Sequence, residues 1–222
     1  MAVASTTAFT LTISEIIDEA VARIGGQPIL GQEYVSAMRL LDLILTDWAN
    51  RGIMLFTLEM TQVSLSVSTT SYTLDSDTQD VYQAVIRVSN SDYAMNRIGY
   101  EDYLNISNKS QTGRPTQFFI DRQRDAPLLY VWPIPSSTTS IFKYWRIRFT
   151  KDSNNLRNNA DVHRRYLPAL ISGLAYYMAL RRPNISDATK SRLKITYDEE
   201  LQRALEEDRE RTAFKARPSF RL

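Results

Sequence analysis

The chain has no cysteine and only one histidine, His163. The first absence excludes disulfides and thiolate metal sites. The second means that one chain cannot assemble a Ser-His-Asp triad or a histidine-rich metal centre. Glycine is scarce, seven in 222 residues, and its positions read as helix ends and turns, with neither a GxGxxG nor a Walker-type phosphate loop. Charge is nearly balanced at +2, which points to no particular partner. The one long apolar run is too short and interrupted to span a bilayer, so no membrane partner is expected. The N-terminal MAVASTTAFT has neither a basic nor an apolar region of the secretory kind, so the reading expects no signal peptide and synthesis in a cytoplasm.

What is present is organised around residues 161–182, DVHRRYLPALISGLAYYMALRR. Leu167, Leu170, Ile171, Leu174, Tyr177, Met178 and Ala179 recur at spacings that predict a helix covered on more than one side. Ser172, Gly173 and Ala175 would let a neighbour approach closely. Two amphipathic helices precede it. One starts at Ser14 as N-cap and ends at Gly25-Gly26; the other runs from about Gln32 to Arg51 with Tyr34, Met38, Leu41, Leu45 and Trp48 on its stripe. A last helix starts near Ser186-Asp187, with Leu193, Tyr197, Leu201 and Leu205 facing one way, and is expected to reach about Thr212.

Between Leu55 and Phe149 the period shifts towards two. QVSLSV, SYTL, AVIRV, YAMNRI, TQFFID, LLYVW and IFKYWRIRF read as short antiparallel strands separated by turn residues such as Gly113-Arg114-Pro115. YEDYLNI reads as one helical turn. The predicted class is therefore α+β. Residues 1–54 and 156–208 form a bundle of about four helices, 55–155 an inserted antiparallel β-sandwich or barrel, and 209–222 an extended C-terminal arm. That arm carries Arg209, Arg211, Lys215, Arg217 and Arg221 against one acid, Glu210. It has too few apolar residues for a core of its own, so it is expected to be disordered in an isolated subunit.

Three kinds of chemistry are compatible with residues in this frame. Tyr130, Trp132, Phe142, Tyr144, Trp145 and Phe149 with Arg146 and Arg148 would serve a nucleic-acid-binding module, as bases stack on aromatic rings and phosphates pair with arginine. The plainer reading gives half of those rings to a core and half to a protein interface. The acids Glu206, Glu207 and Asp208 would serve a hydrolase, but neighbouring acids on a helix splay, and a solvated face accounts for them. In the arm, Phe214, Pro218 and Phe220 between the cations favour docking on a protein. No cofactor and no metal is implied, and the chain is read as a non-enzyme.

The order of elements resembles the head-to-tail adaptor (connector) proteins of short-tailed bacteriophages. The resemblance rests on LDLILTDWANRGI, TGRPTQFFIDRQ, LLYVWPIP, LPALISGLAYYMALRRP and EELQRALEEDRERTAFKARP, which cover most of the chain in order. It implies a structural virion protein that forms a dodecameric homo-oligomeric ring beneath the portal protein. Such a ring joins the portal to tail nozzle or tail fibre proteins, surrounds DNA non-specifically and helps to retain it. Carried over, Arg209 to Leu222 would be the portal-docking arm, and Arg114, Arg146 and Arg148 candidate inter-subunit or tail contacts.

Overall fold

A computed structural model describes residues 9–26, 31–53, 57–137 and 140–207. The fold is α+β, with five α-helices and several small sheets among the described residues. The chain divides into two compact units, Met1–Leu55 with Asp152–Leu222 and Phe56–Lys151.

In the first unit, helix α1 spans Ile13–Ile24. Its N-cap is Thr12, not Ser14: Thr12 Oγ1 accepts from Glu15 N–H, and the Glu15 carboxylate accepts from Thr12 N–H at 2.8 Å. The reciprocal box needs an acid three residues after the cap, and starting the helix there lets Ile13 join the buried stripe of Ile16, Ile17, Ala20, Val21 and Ile24. Gly25, with φ of 73°, closes the helix in the left-handed conformation that a Cβ would disfavour.

Helix α2 spans Gly31–Asn50 and buries Ala37, Leu40, Leu41, Ile44, Leu45 and Trp48. Val35 and Leu43 of the same helix stay exposed. The segment before α4 also serves α1, because the carbonyls of Asn158 and Leu156 accept from Ile13 and Ser14 N–H. A 3-10 turn at Arg164–Tyr166 leads into α4, Leu167–Arg181. Helix α5 follows as Asp187–Glu207; the residues beyond it, including the expected extension to Thr212, lie outside the described residues.

Helix α4 touches α1, α2 and α5. Ten of its fifteen residues are buried, so it has no solvent stripe. Burying each large side chain contributes about 1.5–3 kcal/mol, which makes α4 the core element of this unit. Gly173 is where α5 comes closest: a Cβ there would lie 2.8 Å from Tyr197 Cε2. The Tyr197 hydroxyl accepts from Trp48 Nε1 at 2.9 Å, and Trp48 packs on the fully buried Tyr166 ring. One aromatic chain thus ties α2, α5 and the turn before α4 together. A polar link does the same elsewhere: Arg23 of α1 donates to Ser172 of α4 and reaches Glu200 of α5, and Ser172 also hydrogen-bonds Glu200.

Among the described residues the second unit holds ten short strands and one short α-helix. In chain order these are β1 Leu58–Ser64, β2 Ser71–Thr73, β3 Thr78–Val88, β4 Ser91–Ala94, β5 Asn96–Arg97, α3 Tyr100–Asn105, β6 Thr112–Gly113, β7 Gln117–Asp121, β8 Leu128–Trp132, β9 Ile134–Pro135 and β10 Ile141–Arg148. One sheet has the order β1-β10-β3-β4, a second β2-β8-β7-β5, and β6 pairs with β9. Ser89 and Asn90, both with positive φ, make the two-residue hairpin between β3 and β4, a turn whose twist suits right-handed strands.

No closed barrel forms among the described residues. Two pairings, β5 with β7 and β6 with β9, are parallel, where antiparallel strands were expected throughout. The predicted YAMNRI strand breaks at Met95. There the chain leaves the first sheet and enters the second, Met95 N–H bonding Ala84 and Asn96 N–H bonding Thr116, while the Met95 side chain is buried in the shared core. That core takes Val81, Ala84, Ile86, Phe142 and Tyr144 from one sheet and Phe118, Ile120, Leu129 and Val131 from the other.

Candidate functional site

The sequence-predicted arm, Arg209, Arg211, Phe214, Lys215, Arg217, Pro218, Phe220 and Arg221, lies outside the described residues. The other three candidates fall in the β unit and have different environments.

Arg146 is buried, 7 % exposed. Strand β10 points it inward next to Tyr144, and three carboxylates from neighbouring segments meet it. Nη1 donates to Asp77 at 2.6 Å, to Asp75 at 3.0 Å and to Thr78 Oγ1 at 2.9 Å, while Nη2 donates to Glu59 at 3.2 Å. Burial works against the guanidinium charge, but Asp77, Glu59 and Asp75 outweigh it and hold its pKa above the ordinary value. A cation so engaged fastens β1, β3 and the β2–β3 connection to β10. Beside it, burial first and then the Asp75 carboxylate push the Tyr144 phenol up to about 12.

Arg148 packs its guanidinium near Glu59, 3.7 Å away, and donates to the carbonyl of Phe149. Arg114 lies over the face of Tyr93, 4.2 Å from the ring centroid, a contact worth about 0.5–1 kcal/mol where it is exposed. The three arginines therefore do not converge on one point: two flank the Glu59 carboxylate and one sits on an aromatic ring.

The aromatics divide by strand alternation. Phe142 and Tyr144 fill the core, whereas Trp145 and Phe149 are exposed. Trp145 pairs directly with Met60 across β10 and β1. Together with Gln83, Val85, Arg87, Asp92 and Lys143 they line a shallow depression of about 400 Å³ on the outer face of the first sheet. On the second sheet, Phe119 and Tyr130 are stacked and carry Tyr103 of α3, whose ring centroid lies 5.3 Å from each. Sequence reasoning grouped Tyr130 with the β10 aromatics. The signal it missed was YEDYLNI, whose Tyr103 caps that pair.

Residues of other chemistries are also spoken for. His163 caps the 3-10 turn, its Nδ1 accepting from Arg165 N–H. Glu200 is drawn into the link with Arg23 and Ser172. Among the described residues no group of three or more His, Cys, Asp or Glu could hold a metal ion, and no helix is long and apolar enough to cross a membrane.

Charged groups spent on joining strands and helices, with rings and aliphatics left on the surface, are what an assembly component presents to its neighbours. The comparison with known families gives that class its particular form: the chain belongs to the SU10 adaptor protein family, whose model matches residues 11–219, and is thus a bacteriophage adaptor protein. The match runs through both units and into the basic C-terminal segment, stopping just short of Phe220. No curated protein matches the chain.

Proposed function

We propose that the protein is a virion component of the head–tail interface, a homo-oligomeric ring beneath the portal that joins it to tail nozzle or fibre proteins and helps to retain packaged DNA. The observation that carries this reading is the family match across residues 11–219. In this reading residues 1–54 and 156–208 act as a helical bundle and 55–155 as an inserted β-sandwich domain. Residues 209–222 dock on the portal. Twelve copies are the number the resemblance implies. A ring needs a heterologous contact that closes, and the exposed Met60 and Trp145 face and Arg114 are candidates for its inter-subunit or tail contacts. A lumen that tolerates DNA without gripping it suits a subunit with a net charge of only +2, since each phosphate neutralised adds salt-sensitive affinity.

The nucleic-acid alternative has less support. Arg146, which it assigned to phosphate, has its guanidinium on three carboxylates, and Phe142 and Tyr144 are buried. Deleting residues 209–222 tests the proposal: the shortened protein should keep its helical circular dichroism and lose its complex with purified portal rings. A truncated protein that binds portal as well as the full chain removes the arm from the account.

A further inference from the structure

We propose that successive copies of this chain join through their β units, helix α3 of one copy seating on the outer face of the next copy's first sheet, with Glu101 paired to that copy's Lys143. The proposal rests on the ring reading and deepens it, naming the surfaces that meet at each seam.

The charges left over within the chain select this pair. Acids beside the exposed apolar residues Met60, Tyr82 and Tyr93 are already engaged, Glu59 with Arg146, Asp80 with Arg97 and Asp92 with Arg87. Every other described acid of the unit but one also holds a cation or a hydrogen bond. The exception is Glu101, exposed and, among the described residues, meeting neither. The cations show the same pattern. All the described ones have partners except Lys143, which makes no hydrogen bond, ion pair or ring contact among the described residues. Its charge is felt at a distance by Asp92, a carboxylate held first by Arg87. A paired ion offers a newcomer little, because an old contact must be replaced; an unpaired one offers its full attraction and fixes the register of the approach.

Both free charges stand among exposed apolar side chains. Lys143 lines the depression of about 400 Å³ that also holds Met60 and Trp145, 61 % and 41 % exposed. Strand β3 adds Tyr82. A register shift lies opposite Trp145 and Arg146, and between the core residues Val81 and Ala84 it leaves both Tyr82 and Gln83 exposed on the outer side, as a bulge that re-aims a side chain does. On α3, Tyr100 and Leu104 are one turn apart and share a face; both are exposed, with Glu101 next to Tyr100. Tyr103 faces the other way, onto Phe119 and Tyr130. Exposed apolar patches edged by charge mark protein contacts.

Strand alternation then says which copies can meet. In β10, Phe142 and Tyr144 enter the core, so Lys143 and Trp145 point away from it; in β7, Phe118 and Ile120 enter the same core, so Phe119 points away and carries α3. Phe118 and Phe142 touch in that core, with ring centroids 5.4 Å apart. The two surfaces therefore face opposite directions and cannot meet within one chain. A closed pair of copies could make the contact once and not twice. Repeated from copy to copy it is heterologous, the kind of contact that closes into a ring when the rotation allows.

A six-residue helix in a shallow depression is small beside the roughly 800 Å² that each partner gives to a stable interface. One seam alone should be weak, and a template that holds copies side by side raises its effective concentration.

The experiment uses the full chain, alone at rising concentration and mixed with purified portal rings, treated with a carbodiimide that joins touching amines and carboxylates. Mixing isotope-labelled and unlabelled protein marks the bonds between copies. The expected product is a Glu101 to Lys143 bond between copies, whose yield rises with concentration and on the portal. Glu101→Lys and Lys143→Glu, both outside the core, should keep the native circular dichroism and each weaken association about fivefold to tenfold, while the double exchange restores it to within about twofold. Tyr100→Ala/Leu104→Ala, which leaves the charges alone, should abolish the bond. Copies that associate equally well in every variant, or that crosslink only elsewhere, overturn the seam and leave the ring reading standing. Single exchanges that weaken association without rescue in the double also overturn the seam. A protein that stays single at every concentration and on the portal overturns both.

Discussion

Replacing Gly173 by alanine sets two well-understood effects against each other. In the middle of α4, alanine is favoured over glycine by about 1 kcal/mol of helix propensity, so an argument from sequence expects a more stable protein. The geometry says the opposite. The new Cβ would stand 2.8 Å from Cε2, 3.1 Å from Cδ2 and 3.3 Å from Cζ of Tyr197, and that ring cannot swing aside, being 3 % exposed with its hydroxyl held by Trp48 Nε1. Overpacking of this kind costs about 1–3 kcal/mol, so the net result is a loss of about 1 kcal/mol, with a fall in Tm of about 2–4 °C for a chain of this length. Urea unfolding followed by the fluorescence of Trp48, with Trp132 and Trp145 changed to phenylalanine, reads the helical unit alone. Gly31→Ala is the control, since a Cβ there meets nothing within 4 Å and should leave stability unchanged or slightly raised. A Gly173→Ala protein more stable than the native one would refute the claim that α5 is seated against the α4 backbone.

Two further predictions concern the β unit. Arg146→Met leaves Asp75, Asp77 and Glu59 facing one another. Because those acids remain 45–66 % exposed in their side chains, the loss should be about 2 kcal/mol, below the 3–5 kcal/mol of a fully buried pair, and added salt should shrink it by screening the repulsion; a variant as stable as the native chain would mean that the network contributes nothing. The Tyr144 phenol releases its proton at about 10 in the unfolded chain and at about 12 in the folded one. Stability from this group is therefore complete below pH 10 and declines as pH rises towards 12, by about 2–3 kcal/mol in all. Tyr144→Phe should flatten that part of the alkaline stability profile, and an identical slope in both proteins would contradict the assigned shift.

The helices were legible because their physics is local. The LPALISGLAYYMALRR run could only be a helix covered on several sides, and the stripe of Leu193, Tyr197 and Leu201 names the face α5 turns to it. The strands were legible as strands through alternation, but their partners were not, since pairing depends on residues far apart. Nothing in YAMNRI announces that Met95 carries the chain from one sheet to the other, or that Thr112 lies parallel to Ile134. The same limit hid the role of Arg146. In the sequence it is a cation between aromatics, and its three carboxylates lie at least 69 positions away. The Thr12 cap was missed for a smaller reason, as Ser14 is also a good cap, and the choice is made by Glu15 three residues after Thr12.

The central claim, that this adaptor assembles as a ring on the portal through its C-terminal segment, is tested most directly by native mass measurement of the purified protein alone and after mixing with portal rings. The account predicts a discrete complex carrying a full complement of subunits, twelve on a twelvefold portal, that is absent when residues 209–222 are removed. A mixture in which portal and protein keep their separate masses would contradict it.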